Sequence, residues 1–594
     1  MRGFVVLFNT QPEVLRTQDN SLEQRFKQWE AGFAPTRVQR LDHPNCRFYL
    51  FTTSDAIPAE FNQRARRTPT ELLLWTGPRV DMTAANLLQP PTSHDLTELA
   101  AATVSSPGAL DTAVCVSYRA AVHSLIVKTD VLNGTFVYWT RSGRWLLLSN
   151  SSLTLARLIR AGVDWVAASE FLASGSIYAN HSLYEGIRTL KPATLYAFTD
   201  GSSPTSHEYW RLDTLPFNTL SAREACGRVV EELDQDFDAL NATGKTFILD
   251  LTGGYDSRAN LGFALRKLKK FETTVSGLPQ DEDVVLSSAL ARRFGLKHTV
   301  IPFPRQDDPG QAKRLAASVL LTDLEYDIVE YSRVYNAQSQ FDSLQQPSIH
   351  GSAGGDIARN IILRPEFYDT TPDGRLVVEP LIAQRFRNLI PETFGRPGLP
   401  IADWVTHMRA RIAEHDVPHL PAYLRLDIIY LRMRMQFWQG RIGSSTNRFR
   451  SSFSPWTNRR VLEAMLTTHW KERDHQMLSR LFLRALHPDL SRVDVARGEP
   501  AGPSFWDVVR GMPRRLRYFA GRLSARRGWA RMTQADPAVY RHLVPRWEEI
   551  VEHVLRPDAI SALIATGGPA TQPQVLGRLV TLAHLKNCLN APFS

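Results

Sequence analysis

The stretch FILDLTGGYDSR at 247–258 carries the residue types needed to hold a polyphosphate. A short apolar run ends in Thr252-Gly253-Gly254 and leads into a helix-prone segment at 259–268. Two adjacent glycines let a backbone approach phosphate closely and take conformations closed to other residues. The amides at the start of the following helix then form an anion site. Thr252 and Ser257 add hydroxyl donors, and Asp256 adds a carboxylate suited to magnesium. Leu251, Thr252, Gly253, Gly254, Asp256 and Ser257 are therefore the candidate phosphate contacts. No Gly-Lys-Ser/Thr follows at the Walker A spacing. A second loop, HGSAGGD at 350–356, closes another short strand candidate. Gly351, Ser352 and Gly355 are its candidate phosphate contacts, and Asp356 a second metal ligand able to share magnesium with Asp256.

These loops need a scaffold, and the pattern around them supplies one. Runs at 246–251, 273–275 and 298–302 read as strands, and 222–240, 259–268 and 284–294 as helices. Strands alternating with helices indicate a parallel, doubly wound sheet, in which ligands bind at the carboxyl ends of the strands. Asp281-Glu282-Asp283 opens one of these helices, where acids also suit the helix dipole. After about 380 the chain reads mostly helical. The first 210 residues differ in texture. FVVLF, RFYLFTT, ELLLWTG, SLIVKT, TFVYW and RWLLLSN are short strand-like runs, the last two joined by a hairpin turn at 141–143. The expected fold class is therefore α/β, with a β-rich sandwich domain at 1–210 and a doubly wound domain with a helical C-terminal part at 211–594.

Length and composition set limits. At 594 residues the chain exceeds one ordinary core. With 43% hydrophobic and 22% charged residues it reads as soluble and globular. No apolar run reaches membrane-spanning length, and the start lacks the pattern of a secretory signal, so a cytoplasmic protein is expected. Cys46, Cys115, Cys226 and Cys588 are widely spaced, which argues against a disulfide framework or zinc site. Net charge is +10, and 510–531 holds eight arginines and no acid. Leu516, Phe519 and Leu523 recur there at helical spacing. The segment reads as a solvated helix face, with an acidic partner, an anionic surface or nucleic acid as the alternatives.

The loop 252–257 resembles the S/T-G-G-x-D-S pyrophosphate loop of ATP-pyrophosphatase enzymes, and the likeness extends along the chain. MRGFVVLFN at 1–9 is similar to the Met-Cys-Gly-Phe start of the asparagine synthetase family. TDVLNGTFVY at 129–138 is similar to its Arg-Asp-Pro-Leu-Gly segment, and FLASG with SLYEGI at 171–187 to its linker. The resemblance implies an Ntn-hydrolase-like N-terminal domain followed by an ATP-binding synthetase domain. It implies ATP and Mg2+ as cofactors and Ser276 as an adenine-side contact. It further implies a carboxylate substrate and an amine donor, with Asp256 and Asp356 as metal ligands. Three positions depart from the family. Arg2 stands where the family has its glutaminase cysteine, and an arginine supplies no nucleophile. Ala353 stands near the family's Glu or Tyr and transfers no proton. The family's C-terminal lysine has Arg497 as its nearest counterpart, with Arg492 behind it.

The expectation is an AMP-forming carbon–nitrogen ligase that adenylates a carboxylate and forms an amide without hydrolysing glutamine. This is the pattern of the family's β-lactam synthetases and lasso-peptide cyclases. An ammonia- or glutamine-using asparagine synthetase, a nucleic-acid-modifying enzyme and a scaffold that retains ATP binding remain alternatives, with nucleic acid disfavoured. Arg432, Arg434 and Trp438 are candidates for the substrate pocket, and core packing explains that segment equally well.

Overall fold

The computed structural model describes residues 2–11, 20–32, 38–52, 65–76, 96–105, 112–199, 203–303, 308–342, 346–351, 354–360, 367, 369–372, 374–495, 501, 551–559 and 573–591. Ser352, Ala353, Arg497 and the arginine-rich 510–531 segment lie outside these residues.

Among the described residues, twelve strands build the N-terminal region: β1 Arg2–Asn9, β2 Val38–His43, β3 Cys46–Thr52, β4 Ala65–Arg67, β5 Glu71–Thr76, β6 Val114–Arg119, β7 Ser124–Lys128, β8 Tyr138–Ser142, β9 Trp145–Ser149, β10 Arg188–Thr189, β11 Thr194–Phe198 and β12 Thr205–Glu208. They form two six-stranded antiparallel sheets, ordered β10-β8-β9-β1-β3-β2 and β12-β11-β7-β6-β5-β4. β1 reads as an unbroken apolar run because both of its faces are covered. Phe4, Val6 and Phe8 pack between the sheets with Leu72, Leu74, Val114 and Val116. Val5 and Leu7 belong to the other core, with Leu22, Phe26 and Trp29 of the helix Asn20–Ala31. The hairpin expected at 141–143 is present, with Gly143 at φ 55°. Its first strand starts at Tyr138, later than the run at 135–139 implies, because Thr135 and Phe136 bond elsewhere. The Thr135 amide donates to Asp130 and the Phe136 amide to Ser444.

The second region opens with the helix Ala222–Ala242, whose Ser221 and Glu224 form a reciprocal capping box. Among the described residues five parallel strands follow: β13 Phe247–Asp250, β14 Phe271–Ser276, β15 His298–Ile301, β16 Ser348–Ile349 and β17 Ser452–Phe453. Their order is β15-β14-β13-β16-β17. The order reverses direction between β13 and β16, and the crevice beyond the carboxyl ends of those two strands is the switch point where such sheets bind ligands. The helix expected at 259–268 begins earlier, at Tyr255, so the Gly-Gly turn enters it directly. Tyr430–Gln439 forms a π-helix, a rare geometry frequent at functional sites.

One apolar core runs through both regions, joining Val5, Leu147 and Phe171 to Leu249, Ile349 and Phe453. Buried charges cross the same junction. Asp323 accepts from the Ser151 hydroxyl at 2.8 Å and the Ser152 amide at 3.0 Å, and pairs with Arg448 at 2.9 Å. Glu325 accepts from the Tyr138 hydroxyl at 2.6 Å and the Leu183 amide at 3.1 Å, and pairs with Arg441. Among the described residues no helix is long and apolar enough to cross a membrane.

Candidate functional site

β13 delivers the chain to the phosphate-type loop. Leu249 and Leu251 are fully buried, so the strand end is fixed and the turn that follows is presented at the carboxyl end of the sheet. The loop's polar groups are turned on one another. The Thr252 amide donates to Ser257 Oγ at 3.0 Å, and the two hydroxyls lie 2.9 Å apart. The Gly254 amide donates to Thr252 Oγ1 at 3.2 Å. Asp283 from the acid-rich helix start accepts from the Gly253 amide at 2.8 Å, a direct contact that dipole reasoning alone does not give. Asp256 then sits in the first turn of the helix Tyr255–Lys267.

Arg258, two residues on, is completely buried. Its guanidinium donates to the carbonyls of Val493 at 2.5 Å, Asp494 at 2.9 Å, Leu490 at 3.3 Å and Gly253 at 3.4 Å. One side chain thus ties the C-terminal segment to the loop. Burial lowers its pKa to about 10, which still leaves it charged at neutral pH.

The second loop is held against the first by small residues. A Cβ on Gly354 would lie 2.2 Å from the Trp456 carbonyl oxygen, and a Cβ on Gly355 2.2 Å from Asp256 Oδ1. The Gly-Gly pair before Asp356 is therefore set by close approach. The segment is further pinned by Arg473, which donates to the Ile357 carbonyl at 2.8 Å, and by Asn360 Nδ2, which donates to the Trp470 carbonyl at 2.6 Å. We expect Gly355→Ala to push the Asp256 carboxylate aside and lower the thermal midpoint, by about 1–3 kcal/mol of overpacking. Gly351→Ala is the control, since its Cβ would meet nothing nearer than 3.4 Å. Equal midpoints for the two variants would contradict this packing.

Asp256 and Asp356 come together across the crevice, and Arg359 bridges them. Its Nη2 lies 2.9 Å from Asp256 Oδ2 and also contacts Asp356 Oδ1. The Tyr430 hydroxyl donates to the other oxygen of Asp356. Burial pushes Asp256 up to about 6; Arg359 opposes this shift and Asp356 adds to it. Asp250, at the end of β13, is likewise pushed up to about 6 by burial, against the pull of Arg450. His350 is lowered to about 4 by burial, so it is neutral near pH 7 and its Nδ1 lies 3.3 Å from the Phe453 carbonyl.

Other expected residues are more dispersed. Gly351 lies beside the loop, where a Cβ in its place would stand 3.4 Å from Asp256 Cβ and from the Ser257 amide nitrogen. Ser276 is exposed at the carboxyl end of β14, one strand away. Arg492 points outward, 70% exposed and paired with Asp489 at 2.9 Å. Arg434 stacks on Trp438 at 3.6 Å, while Arg432 donates to the His415 carbonyl at 3.2 Å. Sequence reasoning missed Arg359 and Tyr430. The signal available for Arg359 was a basic residue three positions after an expected metal ligand.

Neither Cys46 nor Cys115, the cysteines of the N-terminal region, stands at the position of Arg2. Arg2 pairs with Thr52 in register, whereas Cys46 pairs with Phe8 at the opposite end of β1. Cys46 is fully buried, which raises its thiol pKa well above the ordinary value. Arg2, Thr76, Thr135, Asn150, Ser444, Asn447 and Arg448 line a cavity of about 10 Å3, room for about one water.

No family model matches the chain, and no curated protein matches it. Solved structures do. Glutamine phosphoribosylpyrophosphate amidotransferase from B. subtilis, complexed with ADP and GMP, is 10% identical with a TM-score of 0.18. That match covers 50% of this chain and 65% of the other, so the chain spans less than two thirds of that protein. A structure titled as the allosteric regulatory enzyme of purine biosynthesis is also 10% identical with a TM-score of 0.18, over 61% of this chain and 77% of that one. Superposition this poor carries no argument about fold or activity. The architecture stands on its own strands: antiparallel sheets first, then a parallel sheet with helices.

Proposed function

We propose that the chain is an ATP-dependent synthetase of the asparagine synthetase type, which adenylates a substrate carboxylate and passes the acyl group to an amine. The observation that carries this reading is the meeting of Asp256 and Asp356 at the switch point, directly after a Gly-Gly turn that starts a helix. Two carboxylates around one cation are the oxygen donors that magnesium takes together with phosphate. Asp256 and Asp356 would hold that ion, which when bound supplies positive charge to the pyrophosphate.

The remaining work falls to the chain's own residues. To cradle the phosphates, the Thr252, Gly253 and Gly254 amides and the Thr252 and Ser257 hydroxyls would exchange their present partners, the Asp283 carboxylate included, for phosphate oxygens at the start of the helix Tyr255–Lys267. The substrate carboxylate oxygen attacks the α-phosphorus of ATP, and the bond to the bridging oxygen breaks, releasing pyrophosphate. An amine then attacks the acyl carbon of the mixed anhydride and AMP leaves; the amine's proton passes to solvent or base. Positioning and fixed charge supply the acceleration. The N-terminal region is read as a glutaminase-like domain without glutaminase chemistry, because Arg2 is no nucleophile.

A second reading, a nucleotide-binding scaffold without turnover, is favoured by one observation: Arg359 already pairs with both carboxylates. The discriminating experiment measures AMP and pyrophosphate from Mg-ATP over a panel of carboxylates, with glutamine, ammonia, other amines or none. We expect AMP release that requires a carboxylate, is unaffected by glutamine and yields no glutamate. ATP binding without AMP under any condition would favour the scaffold, and glutamate formation would overturn the reading of the N-terminal region.

A further inference from the structure

We propose that Arg359 is an internal cation that keeps the Asp256–Asp356 pair closed to free divalent metal, so that metal enters only with a polyphosphate that takes over the guanidinium. The inference rests on the nucleotide-binding reading of the crevice and adds an order of events to it. It starts from how the carboxylate oxygens are used. Asp256 Oδ2 and Asp356 Oδ1 both face Arg359 Nη2, and Asp356 Oδ2 accepts from Tyr430. The remaining oxygen, Asp256 Oδ1, lies over Gly355, where any side chain would collide with it. A bare metal ion must therefore compete with a resident charge or a hydroxyl for three of the four oxygens.

That charge does not leave by deprotonation, because a guanidinium keeps its proton throughout the ordinary pH range. The cation is removed only by giving it another anion. A phosphate group is the best exchange partner, since its oxygens accept the planar fork of arginine in pairs. The swing is one of the side chain alone, since the backbone on either side is held by Arg473 and by Asn360. Arg359 lies just past the short helix Gly354–Ala358, and Asn360 after it stands at φ 51°, outside any helix. Reorienting the side chain therefore disturbs no long element. The exchange is of ion pairs only, and no covalent bond changes. Arg359 is a positioning residue in this scheme.

The test uses the full chain and manganese as the probe, followed by electron paramagnetic resonance and by thermal denaturation. With Mn2+ alone at up to millimolar concentration, the unaltered protein is expected to bind no metal and show no shift of its midpoint. Adding a non-hydrolysable ATP analogue or tripolyphosphate should bring bound Mn2+. Arg359→Gln should bind Mn2+ without any phosphate, roughly tenfold or more tightly than the unaltered chain. That is the scale on which one neighbouring charge changes the cation affinity of a carboxylate. Arg359→Lys, which keeps a charge, should stay closed. If Arg359→Gln does not fold, the comparison of Mn2+ alone with Mn2+ plus tripolyphosphate on the unaltered chain still decides the matter. Equal Mn2+ binding with and without phosphate overturns the inference and leaves the nucleotide reading standing. Absence of both Mn2+ and ATP-analogue binding overturns the nucleotide reading itself, and this inference with it.

Discussion

Asp256→Asn is expected to reduce carboxylate-dependent pyrophosphate release by at least about 10²–10³-fold, the scale seen when one preorganised charge-stabilising group is removed from a transition state. Asparagine keeps the size of aspartate, so the approach of Gly355 and the helix start at Tyr255 are retained. It loses the charge that pairs with Arg359. Burial has already pushed Asp256 up to about 6, so a neutral side chain suits its surroundings and the fold should survive. Midpoint temperature and far-ultraviolet circular dichroism close to those of the unaltered chain, together with lost turnover, are the expected pair of results. Turnover within about threefold of the original would contradict the role of Asp256, because that is less than 1 kcal/mol of transition-state energy.

The second large effect lies away from the crevice. Arg441→Met is expected to destabilise the chain by about 3–5 kcal/mol, the usual result of stripping one partner from a buried ion pair. Glu325 and Arg441 are only 1% and 2% exposed. Without Arg441, the Glu325 carboxylate keeps the Tyr138 hydroxyl and the Leu183 amide, and nothing among its described partners neutralises its charge. The neighbouring backbone raises the stakes. Asp323 and Leu324 stand in succession at φ 53° and 64°, a left-handed pair of non-glycine residues that costs of order 1–3 kcal/mol each. They are held there by the contacts of Asp323 with Ser151, Ser152 and Arg448. The double variant Glu325→Gln/Arg441→Met should recover much of the loss, since no unpaired charge remains. Urea denaturation followed by tryptophan fluorescence checks both; a shift below about 1 kcal/mol for Arg441→Met would show the pair to be effectively solvated.

What the sequence disclosed follows from the range over which its signals act. The strand, the Gly-Gly turn and the helix around 247–267 are local, and periodicity and glycine placement make them legible. The pairing of Asp256 with Asp356 could be anticipated because parallel-strand topology brings the carboxyl ends of β13 and β16 side by side. Arg359 and Tyr430 are another matter. Arg359 reaches an aspartate 103 residues away and Tyr430 one 74 residues away, and no local pattern encodes such contacts. The role of Gly355 was legible as a loop glycine and its cause was not, since only the packed structure brings Asp256 Oδ1 to where its side chain would be. The two-residue strands β10 and β17 are too short to carry an alternating pattern. The segment 430–439 shows helical spacing, but a π-helix differs from an α-helix by its hydrogen bonds and not by its residue types.

The most direct test of adenylation follows an oxygen atom. Once the panel of carboxylates has given an active substrate, that substrate is prepared with 18O in its carboxylate and turned over with unlabelled Mg-ATP. The AMP and pyrophosphate are then analysed by mass spectrometry. Attack of the carboxylate on the α-phosphorus leaves one 18O in every AMP released and none in pyrophosphate, and that is the expected result. Unlabelled AMP, or label appearing in inorganic phosphate alongside ADP, would contradict the proposed chemistry.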